Sequence, residues 1–206
     1  MAHIPDGVLS VPVLAGGAML AAGGLALGLR RLDERAIPPT AILAATFFVV
    51  SLVAVPLGPT SVHPLLGGLM GLVLGWRAFP AVFVGLVLQA VLFGVGGLTS
   101  LGVNTVTMAL PGILLAAAVR PGLAGAGPGR LLALGALVGG LAPLGSAGGV
   151  ALALAASSSD YLPSLRLVAL TYLPLAAVEA VLTALLLRSL ARVRPDLIVT
   201  PIEVAP

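Results

Sequence analysis

Between Arg130 and Asp160 the chain runs without a single charged side chain, through "LLALGALVGGLAPLGSAGGVALALAASSS". A helix rises about 1.5 Å per residue, so such a run is long enough to cross a hydrocarbon layer roughly 30 Å thick. Apolar segments lie at 11–29, 40–57, 64–76, 79–95, 104–120, 130–156 and 167–190. They are rich in Leu, Ala, Val and Gly and do not alternate, unlike the short strands of a membrane barrel. Only 8% of the 206 residues are charged, whereas a soluble domain carries about 25%. A water-facing shell cannot be built from so few charges. The expectation is an all-α integral membrane protein with seven transmembrane helices in one polytopic domain. Residues 1–10 form an external N-terminus, 11–190 the helix bundle and 191–206 a cytoplasmic tail.

The third segment is short, and its Gly67, Gly68 and Gly71 predict a tightly packed or broken helix. Pro143 among Gly139, Gly140 and Gly145 predicts a kink in the sixth. Ala18, Ala22 and Ala26 in the first present a flat face, for packing within the bundle or docking to a partner subunit. The terminal "PDLIVTPIEVAP" reads as non-helical. All ten basic side chains are arginines. With seven spans, Arg30, Arg31, Arg35, Arg77, Arg120, Arg130, Arg188, Arg192 and Arg194 share the C-terminal side, and only Arg166 lies opposite. The positive-inside rule then sets the N-terminus outside and the C-terminus in the cytoplasm. His3 and His63, the only histidines, fall together on the outer side.

Several classes are excluded. The chain has no cysteine, so neither disulfides nor thiolate metal sites are available. The sequence pI of about 10.6 does not point to nucleic acid, because the arginines sit singly or in small groups at the ends of apolar runs. No positive stretch precedes the first apolar run, which predicts no cleaved signal peptide. "GVGGLTSLG" at 94–102 has no following Lys and is no nucleotide cradle.

Imidazole is the commonest side-chain ligand of transition metals. Ala2 is small, so trimming of Met1 would leave a free Ala2 amine beside His3. That amine, the His3 amide nitrogen and His3 Nδ1 close fused five- and six-membered rings on one metal, with His63 as fourth nitrogen. A planar nitrogen field suits Ni(II), Cu(II) or low-spin Co(II) and disfavours Zn, Mg and Ca. With Met1 retained, its amine, two amides and the His3 imidazole already make four nitrogens, and His63 becomes axial or peripheral. Pro5 and Gly7 bend the terminus, and Asp6 orients an imidazole or caps a helix. Thr60 and Ser61 are placed to cap the third segment. Gln89, Asn104 and Glu179 are polar groups at membrane depth, each with an interhelical hydrogen bond as its plainest role. Glu179, with no arginine at its depth, is expected to be protonated or bonded to Gln89 or Asn104.

"HIPDGVLS" (3–10), "PTSVHPLLGGLMGLVLG" (59–75), "LQAVLFGVGGLTSLGVNTVTMA" (88–109) and "EAVLTALLLRSLARVRPDLI" (179–198) resemble the CbiM/NikM family, collinearly and over nearly the whole chain. These are the substrate-binding membrane subunits of cobalt and nickel energy-coupling-factor (ECF) transporters. The resemblance implies a six-helix substrate-binding bundle plus an extra N-terminal helix. It implies a metal site at Ala2, His3 and His63, with the ion as substrate rather than a permanent cofactor. It also implies a transmembrane coupling subunit, cytoplasmic ABC ATPases, often a small auxiliary membrane subunit, and residence in a prokaryotic plasma membrane. Family members usually begin Met-His, so the inserted Ala2 requires Met1 to be removed. Such a chain is itself no enzyme. Two other readings compete. One is an intramembrane protease or lipid-modifying enzyme using His63, Ser61 and Glu179, which has no need of His3 at a free terminus. The other is a vitamin-binding subunit of like architecture, which calls for more aromatics than the 4% present.

Overall fold

The computed structural model describes residues 3–53, 55–57 and 60–199, apart from the side chains of residues 55–57, 60–62, 165 and 199. Each apolar segment carries a helix: α1 (Val11–Arg30), α2 (Ile37–Ser51), α3 (Gly67–Leu74), α4 (Ala78–Phe93), α5 (Leu101–Val119), α6 (Pro128–Ser157) and α7 (Ser164–Val193). Local chemistry sets the ends. Pro12 and Pro128 open α1 and α6, where a missing N–H costs nothing. Gly94 closes α4 in the left-handed conformation, its N–H returning to the Ala90 carbonyl.

Five helical tracts are long and apolar enough to cross a membrane: Val11–Arg30, Gly67–Phe93, Leu101–Gly122, Pro128–Ser157 and Arg166–Val193. Large side chains such as Met19, Leu152 and Leu170 point outward, at 71%, 72% and 67% exposure, as lipid contact requires. The chain is a multi-pass membrane protein. The apolar helix α2 is shorter, at 15 residues. The helix of the second segment ends at Ser51, sooner than expected. Val55–Leu57 (β1) and Thr60–Val62 (β2) pair antiparallel, with Pro56 opposite Ser61.

The third segment contracts to α3, eight residues that are all buried. At about 1.5 Å per residue it is roughly 12 Å long, less than half the hydrocarbon thickness. Its N-terminus starts inside the bundle. A Cβ at Gly67 would press on the Met108 carbonyl, and one at Gly68 would lie 2.8 Å from the Val138 carbonyl, both in the middle of longer helices. Gly75, at φ +56°, turns the chain from α3 into the short 3₁₀ turn Gly75–Arg77 and on to α4. Backbone that is not helical is tolerated at this depth only when protein covers it, and α5, α6 and α7 cover α3 here.

Small residues set the helix spacing. A Cβ on Gly112 would sit 2.0 Å from the Gly67 carbonyl, and one on Gly139 would sit 2.4 Å from the Glu179 carbonyl. Around Pro143 the helix α6 remains continuous; Gly139 and Gly140 there lie against α7, and Gly145 against Pro111 of α5. On α1 the packed face is Ala21, Gly24 and Gly28 against Phe79, Pro80 and Trp76. Ala18, Ala22 and Ala26 are exposed, so of the two roles expected for that face their side chains do not serve packing inside the bundle. The tail is corrected as well. Asp196–Val199 forms a short helix, α8, and Ile198 packs with Leu72, Leu123 and Leu187. Pro195 before the helix and Asp196 in its first turn are helix-start signals, and burial of Ile198 anchors it.

Candidate metal centre

Residues 3–10 fold over the end of the bundle where α4 stops and α5 begins. Asn104, one turn into α5, grips Ile4 from both sides. Its Oδ1 accepts the Ile4 N–H at 3.0 Å and its Nδ2 donates to the Ile4 carbonyl at 3.0 Å. The Ser100 hydroxyl donates to the same carbonyl at 2.6 Å. The Asp6 carboxylate then accepts from the N–H groups of Leu98, Thr99 and Ser100 and from the Thr99 hydroxyl. An anion there also meets the positive end of the α5 dipole. The Thr99 hydroxyl and these amides hold the Asp6 carboxyl below its ordinary range. Ser10 completes the attachment by donating its N–H to Ser157 Oγ at the end of α6.

This clamp places His3 against His63. Both are buried, at 4% and 5% exposure. Their Nε2 atoms lie 2.9 Å apart and their rings are stacked at 4.8 Å. Hydrogen bonding fixes the tautomers. His63 Nδ1 lies 3.1 Å from the Pro64 carbonyl, which only accepts, so Nδ1 carries the proton and Nε2 presents a lone pair. His3 Nε2 must then donate to His63 Nε2, and His3 Nδ1 is left with a bare lone pair. Among the described residues that buried atom has no hydrogen-bond partner. Burial, reinforced by His63, pushes the His3 imidazole down to about 3, and burial lowers His63 also. Both rings are neutral at pH 7, as metal ligands must be. The His63 Nδ1–H on a carbonyl is the kind of bond that orients a metal-ligating imidazole.

The other candidates divide. Ala2 lies outside the described residues, as does the Ser61 side chain, whose backbone belongs to β2. With Thr60 and Ser61 in that strand, it is Glu179 that satisfies the start of α3. Glu179 Oε1 accepts the Leu65 N–H in a very short contact and the Leu66 N–H at 2.9 Å. It bonds neither Gln89 nor Asn104, because two backbone donors with no helical partner already converge on it. Gln89 donates instead to Ser51 at the end of α2, 2.5 Å away. The hydrolase constellation of His63, Ser61 and Glu179 draws no support from this arrangement. His63 is engaged by His3 and Pro64, and Glu179 by backbone amides. Among the described residues no group of three or more His, Cys, Asp or Glu side chains converges. Ser100, Thr99 and Ser157 were not singled out from sequence. Thr99-Ser100 directly before an apolar run is the capping signal that marks them.

A buried, neutral imidazole pair in a helical membrane bundle defines a multi-pass membrane protein with a candidate pair of metal ligands. Residues 3–197 match the family described as "Cobalt uptake substrate-specific transmembrane region", CbiM, and the chain belongs to that family. A putative metal transport protein of Haemophilus influenzae is 48% identical over 54% of this chain and 54% of its own length. The fused nickel transport protein NikMN of Rhodobacter capsulatus is 37% identical over 57% of this chain and 35% of its own. The chain thus spans about half or less of these curated relatives. A crystal structure of a transition metal transporter superposes with a TM-score of 0.73 at 26% identity, over 93% of each chain.

Proposed function

We propose that this chain is the substrate-binding membrane subunit of an ATP-driven, ECF-type importer for Ni²⁺ or Co²⁺, placed in a prokaryotic plasma membrane. The observation that carries the reading is the His3–His63 pair: two buried neutral rings in contact, with lone pairs at His3 Nδ1 and His63 Nε2. The family's description, with relatives whose names specify nickel or metal transport, supports a cation cargo. The ligand set is the Ala2 amine, the His3 amide nitrogen, His3 Nδ1 and His63 Nε2. The chelate uses the bare His3 Nδ1 rather than the Nε2 that meets His63, so binding re-seats the His3 ring against His63. The field is planar, which selects Ni²⁺ or Co²⁺ over Zn²⁺. Seven spans, counting α2 and α3, put this end outside and nine of the ten arginines in the cytoplasm. A coupling subunit, cytoplasmic ATPases and often a small auxiliary membrane subunit complete the assembly, and ATP is hydrolysed on those ATPases.

The test is equilibrium titration of the purified chain with Ni²⁺ and with Co²⁺. Wild type binds one ion tightly, and His3→Ala or His63→Ala weakens binding at least 100-fold while the protein still inserts. An N-terminal extension that buries the Ala2 amine in a longer chain does the same. Undiminished binding by either histidine variant refutes the reading.

A further inference from the structure

We propose that Glu179 is a positioning residue for the metal centre: its carboxylate oxygen, holding the amides of Leu65 and Leu66, sets the place from which His63 reaches the ion. The inference rests on the functional reading above.

Four observations converge. Glu179 is fully buried in the middle of α7, far along the chain from the histidines, yet its Oε1 takes the N–H groups two and three residues beyond His63. Leu66 is left-handed, with φ 52°, and is the one non-glycine residue with positive φ among those described. A β-carbon resists that conformation, so something must hold it. Successive N–H groups in such a turn point to one side and form a concave anion site, and Glu179 occupies it. Between that site and His63 there is little slack. Proline restricts its own φ, and the Pro64 carbonyl is tied to His63 Nδ1. The His63 ring is therefore fixed to α7 through Glu179.

The role asks for an oxygen rather than a charge. Glu179 Oε2 and Thr183 Oγ1, one turn apart on α7, are both buried without a partner among the described residues. Glutamine at 179 keeps the acceptor for both amides and puts its NH₂ on the side of Thr183. Alanine removes the acceptor and leaves two buried N–H groups unsatisfied. Aspartate withdraws the oxygen by one methylene.

The experiment titrates the full-length chain in detergent with Ni²⁺ alone and Co²⁺ alone. It records affinity and the ligand-field absorption of the bound ion, with unfolding midpoints measured separately. Glu179→Gln is expected to bind within about threefold of wild type with the same absorption band. Glu179→Ala is expected to lose at least tenfold in affinity and to shift the band, because His63 no longer sits in the plane. If Glu179→Ala fails to insert, Glu179→Asp takes its place with the same expectation. Wild-type affinity and band in the alanine or aspartate variant overturn the inference. So does a glutamine variant as weak as alanine, which would make the carboxylate's charge the operative feature. A wild-type chain that binds neither ion fails the functional reading itself, whereas the other outcomes leave that reading standing.

Discussion

At the scale of single residues, the centre is built from groups that burial keeps uncharged. An imidazole with a lowered folded value takes up its proton more readily in the unfolded chain. The unfolded state therefore binds more protons, and stability falls as pH falls. For His3 the window runs from the ordinary value of 6.5 down to about 3, and His63 is displaced in the same direction. Asp6 acts in the same sense but lower, since its hydrogen bonds to Thr99 and the 98–100 amides are lost only as it protonates beneath 3.8. The metal-free chain should thus lose thermal stability steadily between pH 6.5 and 3. The double variant His3→Ala, His63→Ala should be nearly flat from pH 6.5 to 4 and decline only where carboxylates titrate. Unfolding midpoints measured at half-unit pH steps check this, and parallel slopes in the two proteins would remove the histidines from the account.

At the scale of elements, the positions of the helices were legible because charge punctuates them. Arg30, Arg77, Arg120, Arg130 and Arg192 stand at or near helix ends, and glycine and proline mark the turns. The short third helix was legible too, from Gly67, Gly68 and Gly71. The β1–β2 hairpin was not, since its residues continue an apolar run and pairing depends on what surrounds them. Likewise Glu179 showed as an expensive buried acid, but its partners are backbone amides that carry no side-chain signature. His3 and His63 were legible as a pair because no other histidine competes. The Asn104 and Asp6 clamps needed the fold, since each joins positions roughly a hundred residues apart. The same closeness of backbones that hides such partners makes the α3–α5 interface brittle. Gly112→Ala forces a methyl against the Gly67 carbonyl and is expected to cost at least about 2–3 kcal/mol. Gly16→Ala, with open space around it, should be neutral or gain up to about 1 kcal/mol from helix propensity. Unfolding midpoints in mild denaturant distinguish the two. Equal effects would mean that α3 does not sit against α5.

At the scale of the whole molecule, the bundle divides by task. One end holds the N-terminal segment, the histidines and the loop before α5. The other carries Leu123, Leu131, Leu187 and Ile198, where α8 seals the ends of α5, α6 and α7. Between them lies the buried α3, whose start is held by α7 and whose far end turns sharply into α4. Helices whose outward faces meet lipid gain little from solvent exclusion among themselves, so close packing and internal hydrogen bonds hold this architecture.

The paired bonds between Asn104 and Ile4 carry a kinetic consequence. Rotating side chains does not uncover His3 while its neighbour is stapled to α5, so an ion trapped beneath leaves no faster than the strap unfastens. Amide deuterium uptake at Ile4 should accordingly set a ceiling on the dissociation rate. A cargo that escapes much sooner than that amide exchanges would mean that it leaves by a route the Ile4–Asn104 strap does not cover.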